Sequence, residues 1–97
     1  MRIISEPLSF EWDKGNSDKN LKKHQVTNQE AEEIFFNEPL IIAEDQKHSA
    51  QESRFQSLGR TNKDRKLFLS FTIRFNKIRI ISIRDMNKKE KKIYEKI

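Results

Sequence analysis

Leu67-Phe-Leu-Ser-Phe-Thr-Ile-Arg74 and Ile78-Arg-Ile-Ile-Ser-Ile-Arg84 are two β-prone runs separated by Phe75-Asn76-Lys77, and their pairing decides the fold. Successive side chains of a strand point to opposite faces. In the first run Leu67, Leu69, Phe71 and Ile73 share one face, and Phe68, Ser70, Thr72 and Arg74 share the other. In the second, Ile81 and Ile83 join Arg79, opposite Ile78, Ile80, Ser82 and Arg84. A three-residue loop, in which Asn76 best accepts a left-handed backbone, pairs Arg74 with Ile78, Thr72 with Ile80 and Ser70 with Ser82. That register gathers Ser70, Thr72, Ser82, Arg74 and Arg84 onto one mostly polar surface and leaves an apolar surface for helices. A slip of one residue mixes the two faces and spoils the core. The unslipped register also predicts that Arg79 points to the helical side, near the hairpin end, where its head can reach solvent.

Arginine is a costly residue on a strand over a small core unless its guanidinium is exposed or meets a carboxylate or phosphate. The chain has 20 Lys and Arg against 15 Asp and Glu, a net charge of +5, and a pI of 9.6. The first expectation is a sheet that presents arginines to an anionic ligand, RNA above others, although positive charge alone licenses only non-specific binding.

Outward from the hairpin, Leu8 to Trp12 alternates apolar and polar as a short strand. Asp13 offers a helix cap, and a helix over about Lys14 to His24 ends in Lys22, Lys23 and His24, cations suited to the helix dipole. Thr27-Asn-Gln-Glu30 has capping-box spacing, with Val26 and Ala31 as its hydrophobic staple. The second helix carries Ala31, Ile34 and Phe35 on one stripe, and Pro39 stops it near Asn37. Leu40–Ala43 reads as a strand, 44–51 as a polar connection, Glu52–Gly59 as a strand, and Thr61–Asp64 as a turn. Asn87-Lys-Lys-Glu90 caps a last helix running to Ile97. The order β-α-α-β-β-β-β-α predicts an α+β fold with a mixed, mostly antiparallel sheet flanked by helices.

Ninety-seven residues with 34% hydrophobic and 36% charged allow one domain, 1–97, with a thin core and a charged shell. Without cysteine there is no disulfide framework, thiolate nucleophile or sulfur-ligated zinc, which predicts a cytoplasmic setting. No apolar run reaches the roughly 18 residues of a membrane span, and the start of the chain is too short in apolar residues for a signal peptide.

Phe10-Glu-Trp12-Asp13, Asn20-x-x-Lys23-His24-x-Val26, Glu30-Ala31 and Phe36-x-x-Pro39 lead into Glu52-x-Arg54, Gly59-Arg60, Thr72-x-Arg74 and Arg79-Ile-Ile-Ser-x-Arg84, with Glu90 and Tyr94 downstream. In that order, from about Phe10 to Glu95, the chain resembles the BrnT toxins of the RelE-like group. The resemblance implies a RelE-like fold, metal-independent endoribonuclease activity without a cofactor, and arrest of translation. It further implies a BrnA-like antitoxin partner with a ribbon-helix-helix domain, through which the pair contacts promoter DNA indirectly. The chain departs from the pattern at Gln25 and Phe75, where glycine is usual or frequent, at Asn16, where many members carry lysine, and at Asn28, where an aromatic is common.

RNA is cut without metal when its 2′-hydroxyl attacks the adjacent phosphate. That step needs a base, cations for the dianionic phosphorane and an acid for the leaving 5′-oxygen. Arg84 and Arg54 are the expected phosphate stabilisers, with Arg74 and Arg79 behind them, since the guanidinium fork takes two phosphate oxygens at once. For each arginine alone the competing reading is a structural ion pair. Glu52 is the expected base, with a simple ion pair to Arg54 or a lysine as the alternative. His24 is the other acid–base candidate, or only a cation at a helix end. Arg60, Lys22, Lys23, Thr72 and Ser82 are expected to line the RNA path. His48 reads as solvated, the two distant histidines argue against a metal site, and Trp12, Phe10 and Tyr94 read as packing residues. The competing functions are a non-catalytic basic nucleic-acid-binding module and a degenerate toxin serving only as co-repressor.

Overall fold

The structure is a computed structural model that describes residues 7–48 and 52–97. Strands run over Phe10–Glu11 (β1), Ile41–Glu44 (β2), Arg54–Arg60 (β3), Lys66–Arg74 (β4) and Lys77–Asp85 (β5), and helices over Lys14–His24 (α1), Asn28–Glu33 (α2) and Lys88–Glu95 (α3). Single 3₁₀ turns follow α2 at Ile34–Phe36 and β2 at Gln46–His48. Among the described residues the sheet order is β1-β5-β4-β3-β2. β1 is parallel to β5 and every other pairing is antiparallel. The expected α+β architecture and element order are therefore present. The start of the chain and the end of the 44–51 connection fall outside the described residues, as do the side chains of Asn16 and His48.

Local chemistry explains the boundaries. Thr27 Oγ1 accepts the Glu30 N–H at 3.1 Å while the Thr27 N–H donates to Glu30 Oε1 at 3.0 Å. Asn87 and Glu90 make the same reciprocal cap at 2.8 and 2.9 Å. At α1 the Asp13 carboxylate accepts the Gly15 N–H at 2.8 Å. Each cap satisfies donors that a helix start otherwise leaves unpaired.

The hairpin departs from the expected register. Phe75 and Asn76 both take left-handed backbone, with φ of 52° and 61°, so the turn has two residues and Arg74 faces Lys77 instead of Ile78. A two-residue turn of this kind matches the twist of the strands it joins. Ile73 then faces Ile78, Phe71 faces Ile80, and Thr72 faces Arg79. The register shifts between Ser70 and Phe71, where β5 carries Ile81 as an extra residue, and beyond it Ser70 faces Ser82 as expected. Such a bulge reverses face parity along one strand. It places Ile78, Ile80 and Ile83 all in the core and brings Arg79 to the face that carries Ser82 and Arg84. The parity that turned Arg79 toward the helices holds only for a strand without a bulge.

The apolar face of the sheet, built from Leu67, Leu69, Phe71, Ile78, Ile80 and Ile83, packs against Val26, Ala31, Ile34 and Phe35. Phe35 stands edge-on to both Phe10 and Phe71, at 5.5 and 5.3 Å between ring centres. Gly59 permits the closest approach of the helical layer: a Cβ there would sit 2.9 Å from Ile34 Cβ. α3 covers one end of the opposite face, with Tyr94 buried and its hydroxyl donating to the Pro39 carbonyl at 2.5 Å. The other end of that face stays open.

Candidate functional site

The open face is built in rows, because residues opposed across antiparallel strands project to the same side. Starting at the hairpin tip, Arg74 faces Lys77, and the next row reads Arg54, Thr72, Arg79 and Glu11 across β3, β4, β5 and β1. Gln56, Ser70 and Ser82 follow, then Leu58, Phe68 and Arg84, then Arg60 and Lys66. Neighbouring strands lie about 4.8 Å apart and successive rows about 7 Å apart. The centre is thus a floor of short hydroxyl side chains, Ser70, Thr72 and Ser82, ringed by the long side chains of Arg54, Arg79 and Arg84. Thr72 is buried, and its Oγ1 donates to the Ser53 carbonyl at 2.7 Å, tying the floor to the approach of β3.

Carboxylates hold Arg74, Arg79 and Arg84. Arg79 reaches Glu11 Oε1 at 3.1 Å and Asp13 Oδ2 at 3.3 Å. Arg74 reaches both oxygens of Glu52, at 3.3 and 3.2 Å. Arg84 makes two parallel bonds to Glu90, at 2.9 and 3.0 Å, and lies 4.2 Å over the Phe68 ring. The hydrogen bonds that Arg84 donates hold the Glu90 carboxyl below its ordinary range, and their acceptance by Glu90 raises the pKa of Arg84. These pairs are open to solvent, with Arg74, Arg79 and Arg84 side chains 39%, 25% and 38% exposed. Pairs of that kind contribute at most about 1 kcal/mol each. A phosphodiester offers the guanidinium fork two oxygens, as a carboxylate does.

The remaining residues singled out from sequence are carried elsewhere. His24 ends α1 at the junction with α2, on the helical side. There its carbonyl accepts Arg65 Nη2 at 3.0 Å and its charge bears on Asp85. Lys22 and Lys23 are exposed on the same helix turn, so this trio belongs to α1 and not to the arginine face. Arg60 sits at the covered end of the face, its Nε donating to the Glu38 carbonyl at 2.8 Å. Glu52 meets Arg74 across the sheet, a partner that neither the Glu52–Arg54 spacing nor an opposing lysine suggests.

Sequence reasoning passed over Glu11 and Asp13, which orient Arg79, because nothing local shows that a two-residue strand lies parallel to β5. The alternation Phe10-Glu-Trp12-Asp13 was the available signal: with Phe10 and Trp12 against the core, both acids must face away from it. Alternation places Phe68 on the polar face, and its ring is the platform under Arg84.

The family model described as the ribonuclease toxin BrnT of type II toxin–antitoxin systems matches residues 12–90. No curated protein matches the chain. Among solved structures, the crystal structure of the Brucella abortus ribonuclease toxin BrnT aligns with a TM-score of 0.64. It covers 84% of this chain and 99% of that one at 17% identity, a likeness of fold.

Proposed function

Since the chain belongs to the BrnT family of ribonuclease toxins from type II toxin–antitoxin systems, we propose that it is a metal-independent endoribonuclease whose site is the open arginine face. The carrying observation is the bulge at Ile81, which puts Arg79 beside Arg54, Arg74 and Arg84 around the Ser70–Thr72–Ser82 floor. A phosphodiester laid over that floor has cations on three sides. The RNA 2′-oxygen bonds to phosphorus as the bond from phosphorus to the 5′-oxygen breaks, leaving a 2′,3′-cyclic phosphate and a 5′-hydroxyl. Arg54, Arg79 and Arg84 stabilise the extra negative charge of the phosphorane. Glu52, held by Arg74 one row from Arg54 and Arg79, takes the 2′-hydroxyl proton, and the leaving 5′-oxygen takes its proton from water. His24 has no part in this scheme, because it lies at the α1–α2 junction.

Membership of the family supports a protein antitoxin, and we assign it the ribbon-helix-helix, BrnA-like type, with release of the toxin arresting translation. The test is cleavage of a single-stranded oligoribonucleotide by the purified chain in excess chelator. Products should end in cyclic phosphate and 5′-hydroxyl, and Glu52→Gln should lower kcat about 10²-fold or more. Cleavage abolished by chelator, or undiminished in Glu52→Gln, overturns the metal-independent scheme or the role of Glu52 respectively. One observation favours a second reading, a basic module that binds RNA without cutting it: Arg74, Arg79 and Arg84 are all engaged by carboxylates. That reading requires RNA affinity with a steep salt dependence and no products.

A further inference from the structure

Phe75 is an exposed aromatic in a conformation that suits it badly. Its side chain is 89% exposed at the tip of the β4–β5 hairpin, and its φ of 52° lies in the left-handed region. A bulky residue is an outlier there, where Gly, Asn and Asp are favoured. The position therefore carries strain and gains no burial. Such outliers concentrate where they serve a ligand.

The surroundings specify the ligand. Phe75 and Asn76 form the turn, and the residues flanking it are the cations Arg74 and Lys77. A flat ring between cations suits single-stranded nucleic acid, with phosphate on the charges and a base on the ring. The tip continues the open face: Arg74 and Lys77 form its first row, and Arg54, Thr72 and Arg79 the second, about 7 Å further on. An extended RNA strand with one phosphate over the floor brings an adjoining nucleotide to the tip. Resting on the ribonuclease reading above, we propose that Phe75 is a stacking platform for an unpaired base next to the cleaved linkage, so that the hairpin tip sets substrate position.

The test compares Phe75→Gly and Phe75→Trp with the parent chain on the same single-stranded oligoribonucleotide. Thermal melting is measured alongside, together with binding of a 2′-O-methyl strand of that sequence carrying 2-aminopurine, which lacks the attacking hydroxyl. Phe75→Gly should raise KM about tenfold or more with kcat little changed, and its melting temperature should be equal or higher. Phe75→Trp should keep KM at or below the parent value. Quenching of 2-aminopurine should occur with Phe and Trp and be lost with Gly. If the parent cuts RNA and Phe75→Gly does so with unchanged KM and quenching, the platform is refuted while the ribonuclease reading stands. Unchanged RNA kinetics with weakened binding of the antitoxin assigns the ring to a protein partner and likewise overturns the proposal. If the parent neither binds nor cuts RNA, both readings fall together.

Discussion

Arg65 lies on the helical side and serves the fold. Its Nε and Nη2 bind the two oxygens of Asp85 at 2.7 and 3.1 Å. Nη1 reaches Glu30 at 3.2 Å and the Gln25 carbonyl at 2.9 Å, and Nη2 reaches the His24 carbonyl. One side chain thus closes the α1 terminus, anchors α2 and clamps the end of β5. Arg65→Ala should cost about 2–3 kcal/mol in urea denaturation, and Arg65→Lys should recover little of it, since an ammonium cannot reproduce the fork. Gln25, beside it, holds φ at 55° where the family resemblance expects glycine. Gln25→Gly should therefore stabilise the chain by about 1 kcal/mol. Gly59→Ala should do the opposite by about 1–3 kcal/mol, because its Cβ would press on Ile34 Cβ, an atom tied to backbone. Loss of stability below 0.5 kcal/mol on that change would mean that the helical layer yields more readily than its packing indicates.

At the scale of elements, the caps were legible because they rest on short fixed spacings. Thr27 with Glu30 and Asn87 with Glu90 both form as their sequences imply. Asn87→Ala should cost about 1 kcal/mol by chemical denaturation. The face of Arg79 was not legible, because parity counting assumes a regular strand and neither Ile80-Ile81 nor the turn residues betray a bulge. Four isoleucines between positions 78 and 83 fit either parity, and only the core on both sides of the bulge decides between them. Ile81 is therefore the extra residue of β5, with no partner residue opposite it on β4. Ile81→Val should change stability by less than about 1.5 kcal/mol. Deleting Ile81 should leave a folded, cooperative chain, since Ile78, Ile80 and Ile83 then alternate regularly with Arg79, Ser82 and Arg84 and keep their partners on β4. A deletion variant that no longer folds would contradict the bulge.

For the whole molecule, charge does two jobs on two sides of one sheet. On the helical side Arg65 holds the Asp85 carboxyl below its ordinary value of 3.8, and at the rim of the open face Arg84 holds Glu90 below 4.5. A carboxyl whose folded pKa is depressed stabilises the fold at pH above its unfolded value and loses that contribution as pH falls through the folded one. Stability should accordingly be level from pH 7 to about 5 and fall below about pH 4.5, and Arg65→Ala should flatten part of that fall. No helix among the described residues is long and apolar enough to cross a membrane. The open face is the distinctive surface, and Arg79 is its test. Single-turnover cleavage of one oligoribonucleotide by Arg79→Ala, with folding verified by its melting curve, measures the claim most directly. The expected result is a rate lowered about 10²–10³-fold; a folded Arg79→Ala that cuts within threefold of the parent would contradict the site.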